Sequence, residues 1–275
     1  MTEPKIPFYK MSGSGNDFIL VDNREGVVDE RGLSKWISLV CRRRQAVGAD
    51  GLILIEPSDR ADFKWRFFNS DGGQVEMCGN GGRCAARLAY LLGIADARLT
   101  FETMAGVIRA EVAGRRVKLE MPQPSDAMTD YPIEVGGKQL VVNSITVGVP
   151  HVVIWVEDIE QAPVVRVGRE VRYHERYMPA GTNVNFVQFD EDGTLLIRTY
   201  ERGVEDETLA CGTGSVASAL LAFMKTDISS PVALLTRGKE LLNVHFQREE
   251  NSFSNVFLEG DTKVVYEGLL WEEAA

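Results

Sequence analysis

The chain is short of cysteine, histidine and basic charge. Its 275 residues hold four cysteines, Cys41, Cys78, Cys84 and Cys211, and three histidines. Four scattered thiols do not make the disulfide framework of a small secreted scaffold. No two stand in a Cys-x-x-Cys spacing, which argues against a structural zinc site. Basic residues number 30 against 40 acidic ones, a net charge of −10. Phosphate binding needs an excess of Lys and Arg, so nucleic acid is not an expected partner. A small anion needs only local positive potential and stays open. Long apolar runs are also missing. The longest, around Val216 to Met224, is too short to cross a bilayer. Met1 to Lys10 carries no signal-peptide pattern. Together these features suggest a cytoplasmic chain with no membrane partner. Hydrophobic residues at 44% and charged residues at 25% leave an ordinary globular composition, enough for one large domain or two smaller ones.

What is present is a repeat. Cys78-Gly79-Asn80-Gly81 and Cys211-Gly212-Thr213-Gly214 share the pattern Cys-Gly-x-Gly, and the two cysteines lie 133 residues apart. Each motif runs into an Ala- and Leu-rich segment with helical character. Arg66 to Asn69 precedes the first motif and Arg198 to Glu201 the second, 132 residues on. Gly13 to Asn23 and Gly148 to Asp158 form a third matching pair. Offsets this similar, near half the chain length, imply two related halves.

Each half mixes strands with a few helices. Helices are expected over Leu33–Ala46, Gly79–Leu92, about Val165–Tyr177 and Gly212–Lys225, and most other periodic segments read as strands. Pro122 to Asp130 reads as a linker between the halves. The segment from Thr262 returns to the first half. The expected domains are therefore 1–124 with 262–275, carrying Cys78, and 125–261, carrying Cys211. The helices after the two motifs hold little charge, and a helix apolar nearly all round belongs in a core. The fold class expected is α/β (α+β): two pseudo-symmetric halves, each a curled sheet around a central helix, with the active site in the cleft between them.

A cysteine at a helix N-terminus sits beside unsatisfied N–H groups and the positive end of the helix dipole. Both favour the thiolate, so the thiol pKa should fall. The glycines that follow let a ligand approach the backbone, and an anion could accept hydrogen bonds from Gly79 and Asn80, or from Gly212 and Thr213. One such cysteine is a moderate signal. Two at equivalent places suit inversion of a stereocentre, where one sulfur removes a proton and the other supplies one from the opposite face. Cys41 and Cys84 lack such motifs and read as core residues. Gly13-Ser14-Gly15 lacks the third glycine of a dinucleotide fingerprint and opens no helix.

With those residues in view, the chain resembles the diaminopimelate epimerase family. The resemblance rests on Met11 to Phe18 (MSGSGNDF), Gly48 to Leu52 (GADGL), Phe68 to Gly72 (FNSDG), Met77 to Arg83 (MCGNGGR), Pro150-His151, Gly181 to Val184 (GTNV), Glu201-Arg202-Gly203 and Glu207 to Gly214 (ETLACGTG). It implies epimerisation of LL- to meso-diaminopimelate with no cofactor and no metal, on the route to lysine and peptidoglycan. By position, Cys78 and Cys211 match the catalytic pair. Gly79, Asn80, Gly212 and Thr213 match the cradle for the reacting carboxylate. Asn16, Asn69, Asn183 and Arg202 match residues that hold the distal end, Glu201 the region of the reacting ammonium, and His151 a supporting histidine. The partner implied is a small amino-acid substrate, and a homodimer is possible. Val149 stands where the family commonly has Asn, Ser12 replaces a common His, and Gly203 to Glu207 is one residue longer than usual.

Two other functions compete. A related racemase would act on a different amino acid and would not need the Asn and Arg array. A thiol redox protein would oxidise the paired cysteines and leave the glycine cradles without purpose.

Overall fold

The computed structural model describes residues 5–250 and 252–274. The chain forms two compact units, one from the described residues of Met1–Leu119 and Gly260–Ala275, the other from those of Glu120–Glu259. In chain order the first contains β1 (Ile6–Gly13), β2 (Asn16–Asp22), α1 (Leu33–Val40), β3 (Gly51–Glu56), β4 (Phe63–Asn69), β5 (Gln74–Val75), α2 (Gly79–Leu91), β6 (Arg98–Thr103), β7 (Gly106–Ala113) and β8 (Arg116–Glu120). The second contains β9 (Pro124–Val135), β10 (Lys138–Val147), β11 (Val149–Trp155), α3 (Val164–Arg172), β12 (Asn183–Phe189), β13 (Leu195–Glu201), β14 (Asp206–Thr208), α4 (Gly212–Lys225), β15 (Val232–Leu235) and β16 (Leu241–Glu249). The last strand, β17 (Ser252–Leu270), pairs first with β16 and then, over Thr262–Leu270, with β1.

The units repeat one topology. In each, a parallel pair (β2–β3, β11–β12) leads to an antiparallel one (β3–β4, β12–β13). A second parallel pair (β4–β6, β13–β15) then brackets the central helix in sequence. The fold is thus α/β with two pseudo-symmetric halves.

Side-chain alternation along the strands builds a core on each face of the sheet. In the first unit Phe18, Leu20, Ile53, Ile55 and Phe67 pack with α2, while Ile19, Val21, Leu52, Leu54 and Phe68 pack with α1. Helix α2 fits inside its sheet because its buried positions are small, among them Gly81, Gly82, Ala85, Ala86 and Ala89. A Cβ on Gly82 would stand 3.1 Å from Leu119 and 3.3 Å from Phe101, tighter than most real contacts. The second unit repeats this arrangement. Helix α4 packs Val216, Leu220 and Leu221 against Val153, Val187, Leu234 and Val244, and α3 covers Val152, Ile154, Val184 and Phe186.

Three sequence expectations need correction. The segment Pro122 to Asp130 is not a linker: from Pro124 it forms the strand Pro124–Val135, paired antiparallel with β10. Its prolines and aspartates are absorbed by register shifts opposite Val142–Thr146 and by positive φ at Asp126 and Asp130. The first helix stops at Val40 rather than Ala46, because Cys41 caps it and Arg44 turns to φ +70°. The third stops at Arg172, and Glu175–Tyr177 forms a separate 3-10 turn.

Phe101 stacks on Phe63 with ring centroids 5.3 Å apart and meets Trp65 edge-on at 5.6 Å, and all three are buried. Phe101→Ala should destabilise the first unit by about 3–5 kcal/mol, measured as a lower denaturation midpoint. A midpoint within error of the parent protein would contradict this packing.

Candidate active site

Strand β5 ends at Val75, and three residues later Cys78 serves as the N-cap of α2. Its extended backbone (φ −144°) lets the sulfur turn back over the first helical turn, where the Gly81 N–H donates to it at 3.5 Å. Gly13 brings β1 close to this turn, since a Cβ there would lie 3.0 Å from the Asn80 carbonyl oxygen and 2.9 Å from the Cys84 sulfur. Asn80 Nδ2 donates to Asn16 Oδ1 at 2.8 Å, and Asn16 Nδ2 donates to Asp50 at 2.9 Å. Asp50 is held in turn by Arg43, which also binds Asp17. Asn69 lies in register with Gly51, next to Asp50, but its side chain is exposed and makes no bond to this group.

The second unit repeats the plan with different side groups. Cys211 caps α4 and is buried. Its sulfur lies 3.7 Å from the Thr213 hydroxyl. Glu201, at the end of β13, accepts from the Thr208 hydroxyl at 2.8 Å. Asn183 Oδ1 accepts from the Arg202 backbone N–H at 2.8 Å, and the Arg202 guanidinium donates to the Ala180 carbonyl at 2.9 Å. His151 pairs with Asn183 in the β11–β12 register.

The expectation of lowered thiol pKa values fails. Burial pushes the Cys78 thiol up, against the pull of the Gly81 and Asn80 N–H groups and the Arg83 charge. Burial and then the Glu201 carboxylate push Cys211 up to about 12, although Gly214 and Thr213 N–H groups and the Thr213 hydroxyl oppose them. The sequence shows a helix start but not the depth at which it sits, and desolvation of the charged form outweighs the N–H groups. Burial also raises the Glu201 carboxyl. Burial, with the Arg202 charge, lowers His151 to about 3, so the ring is neutral at physiological pH.

Some side chains that hold this site together escaped the sequence reading. Asn185 is fully buried in an apolar strand. Its Oδ1 accepts from Thr199 at 2.9 Å, while its Nδ2 donates to the Val152 carbonyl at 3.0 Å and lies 3.3 Å from His151 Nδ1. That bond assigns Nδ1 as acceptor and leaves the proton on His151 Nε2, which is buried with no partner among the described residues. A lone Asn within the run Val184–Phe189 was the available signal. Asp50 sat inside a quoted motif without a role. Among the described residues, no cluster of three His, Cys, Asp or Glu is placed to hold a metal ion, and no helix is long and apolar enough to cross a membrane.

Paired cysteines that cap buried helices in two repeated units, each beside helix-initial N–H groups, define a cysteine-based, PLP-independent isomerase of the epimerase type. The family model described as diaminopimelate epimerase matches residues 8–125 and 143–265. The Aquifex aeolicus diaminopimelate epimerase is 48% identical, covering 98% of this chain and 99% of that protein. The Archaeoglobus fulgidus protein of the same description is 41% identical over 97% and 96%. The chain belongs to the diaminopimelate epimerase family. Solved structures share the fold at low identity. A Bacillus anthracis phenazine biosynthesis protein of the PhzF family superposes with TM-score 0.68 at 16% identity, covering 97% of this chain and 99% of its own. A hydroxyproline epimerase from Agrobacterium vitis gives 0.65 at 16%, covering 98% and 94%.

A Cβ on Gly214 would stand 2.3 Å from Asn185 Oδ1 and 3.2 Å from the Cys211 sulfur. Alanine favours a helix over glycine by about 1 kcal/mol, which offsets part of the cost of moving the buried Asn185 amide. The Cβ must push the Asn185 amide aside and crowd the sulfur, which should lower kcat by about 100-fold; unchanged turnover would contradict the packing described. The depressed His151 pKa has a stability consequence. The unfolded chain takes up a proton near pH 6.5 that the native ring refuses down to about 3, so stability is lost as pH falls through that window. His151→Gln should flatten this part of the acid-unfolding profile, and an unaltered slope would show that the native ring is not held neutral.

Proposed function

We propose that the chain interconverts LL- and meso-diaminopimelate by acid–base chemistry at Cys78 and Cys211, with no PLP and no metal. The observation that carries this reading is the repetition of one device. Each cysteine begins a buried helix whose first N–H groups, those of Gly79 and Asn80 or of Gly212 and Thr213, are suited to a carboxylate. One thiolate removes the Cα proton, and the other thiol delivers a proton to the opposite face. The roles exchange in the reverse direction. A thiol whose pKa is raised by burial gives a stronger base once ionised, which narrows its mismatch with a weakly acidic C–H. As charge spreads from Cα into the α-carboxylate, the helix-initial N–H groups stabilise it. Glu201 serves the α-ammonium.

The distal end of diaminopimelate is a second zwitterion. Arg202 offers a guanidinium for its carboxylate, and Asn16, Asn69 and Asn183 offer amide groups without adding charge. This array favours diaminopimelate over an amino acid with an apolar side chain, the substrate class of the rival racemase reading. His151 acts as a neutral support beside Cys211. Four free thiols fit a reducing cytoplasm. The exposed Val265, Tyr266, Leu269 and Trp271 near the C-terminus fit contact with a second copy of the chain.

Cys78→Ala and Cys211→Ala should each lower epimerisation by at least about 100-fold, measured by chiral separation of the diaminopimelate isomers. Normal turnover in either variant would remove the two-base assignment. A panel of other amino acids should be turned over poorly, and equal rates on proline would favour the racemase reading.

A further inference from the structure

The two cysteine sites are alike in backbone but not in charge. Five residues after Cys78 stands Arg83, whose side chain is fully buried. Five residues after Cys211 stands Val216, equally buried. The Arg83 guanidinium lies along the first turn of α2, with Nη1 3.9 Å from where a Cβ on Gly79 would sit. Its Nη2 donates to Asn80 Oδ1 at 2.5 Å and to the Ser14 hydroxyl at 2.8 Å. From Asn80 the chain runs through Asn16 to Asp50.

The ends of this chain fix its direction. A guanidinium can only donate and an ionised carboxylate can only accept. With Arg83 at one end, Asn80 must turn its oxygen inward and pass an N–H to Asn16. With Asp50 at the other, Asn16 must turn its oxygen to Asn80 and its amide nitrogen to Asp50. Either amide reversed would set donor against donor. Asn16 is thereby left with one N–H and one oxygen lone pair, both of fixed direction, to offer a ligand.

We propose that Arg83 is a positioning residue of the Cys78 site: it sets the direction of the Asn80–Asn16 amide chain and supplies the fixed positive charge that distinguishes this side of the reaction from the other. The inference rests on the reading of Cys78 as one of the two reacting thiols. The charged groups acting on Cys78 are Arg83 on its own helix and Asp50 from the segment before β3, and Asp50 is already engaged by Arg43. Cys84 is the neighbouring thiol on the helix and is itself pushed up to about 12 by burial. Around Cys211 the charged neighbour is Glu201, whose carboxylate opposes ionisation. The cation thus favours thiolate at Cys78 and the carboxylate favours thiol at Cys211. Both thiols are raised by burial, but the cation offsets part of that rise at Cys78 while the carboxylate adds to it at Cys211, so the two are not equals.

The test is the pH dependence of iodoacetamide labelling at each cysteine, read by peptide mass spectrometry on the full chain without substrate. In the wild type, Cys78 should reach half-maximal labelling at lower pH than Cys211. Arg83→Met should move the Cys78 midpoint up by about one pH unit or more and leave Cys211 where it was. Arg83→Lys keeps the charge and should hold the Cys78 midpoint near the wild-type value. A folded Arg83→Met variant with an unmoved Cys78 midpoint would overturn the proposal. So would a wild type in which Cys211 labels first, a result that needs no variant to fold. Epimerase activity that survives complete labelling of Cys78 would instead sink the catalytic reading of that residue, which the midpoints do not test.

Discussion

A buried helix must begin somewhere, and its first N–H groups then have neither helix nor bulk water to bond. That constraint governs both units. At each central helix the chain enters extended, places a cysteine at the cap and follows it with glycine; at Cys78 the sulfur accepts the Gly81 N–H, whereas the Cys211 side chain makes no such cap bond. Sulfur is a weak acceptor, and the remaining N–H groups suit an anion. The same enclosure that creates the need for an anion also makes a bare thiolate costly. Burial therefore raises both thiol pKa values while it leaves N–H groups suited to an anion.

The surrounding side chains adjust this shared device differently in each unit. Near Cys78, polar groups form a directed line of amides between a buried guanidinium and a carboxylate held by Arg43. Near Cys211 the groups are a carboxyl raised by burial and a buried asparagine, which in turn meets a buried neutral histidine. The two units share one backbone plan and differ in their polar residues. An epimerase that inverts one carbon needs a base and an acid at any instant, so unequal surroundings suit equal scaffolds.

Much of this was legible in the sequence because repetition survives in short, rigid motifs. Cys-Gly-x-Gly before an apolar helix, twice at one offset, located both central helices to within a residue or two. The strand Pro124–Val135 was hidden over its first part, up to Asp130, because proline and aspartate signal turns locally, whereas its pairing with β10 is decided by a neighbour that spacing does not reveal. The helix that ends at Val40 was overextended because amphipathic spacing continues past the residue where the backbone turns. Arg83 was visible as part of a motif, but an arginine in sequence is presumed exposed, and its burial against Asn80 and Ser14 decides its role. Asn185 was missed for the same reason: one amide in an apolar strand reads as noise until its partners are known. Thiol pKa direction was misjudged because a helix start is a sequence property and depth is not.

Proton inventory at the inverted carbon tests the central claim most directly. In heavy water, with purified protein and no added cofactor, LL-diaminopimelate should yield meso product carrying one solvent deuterium at that carbon. At early times the remaining LL isomer should stay largely unlabelled, because the proton is removed by one sulfur and its replacement comes from another. Meso product that keeps the original hydrogen would mean a single group carries the proton across, and the two-sulfur account would be wrong.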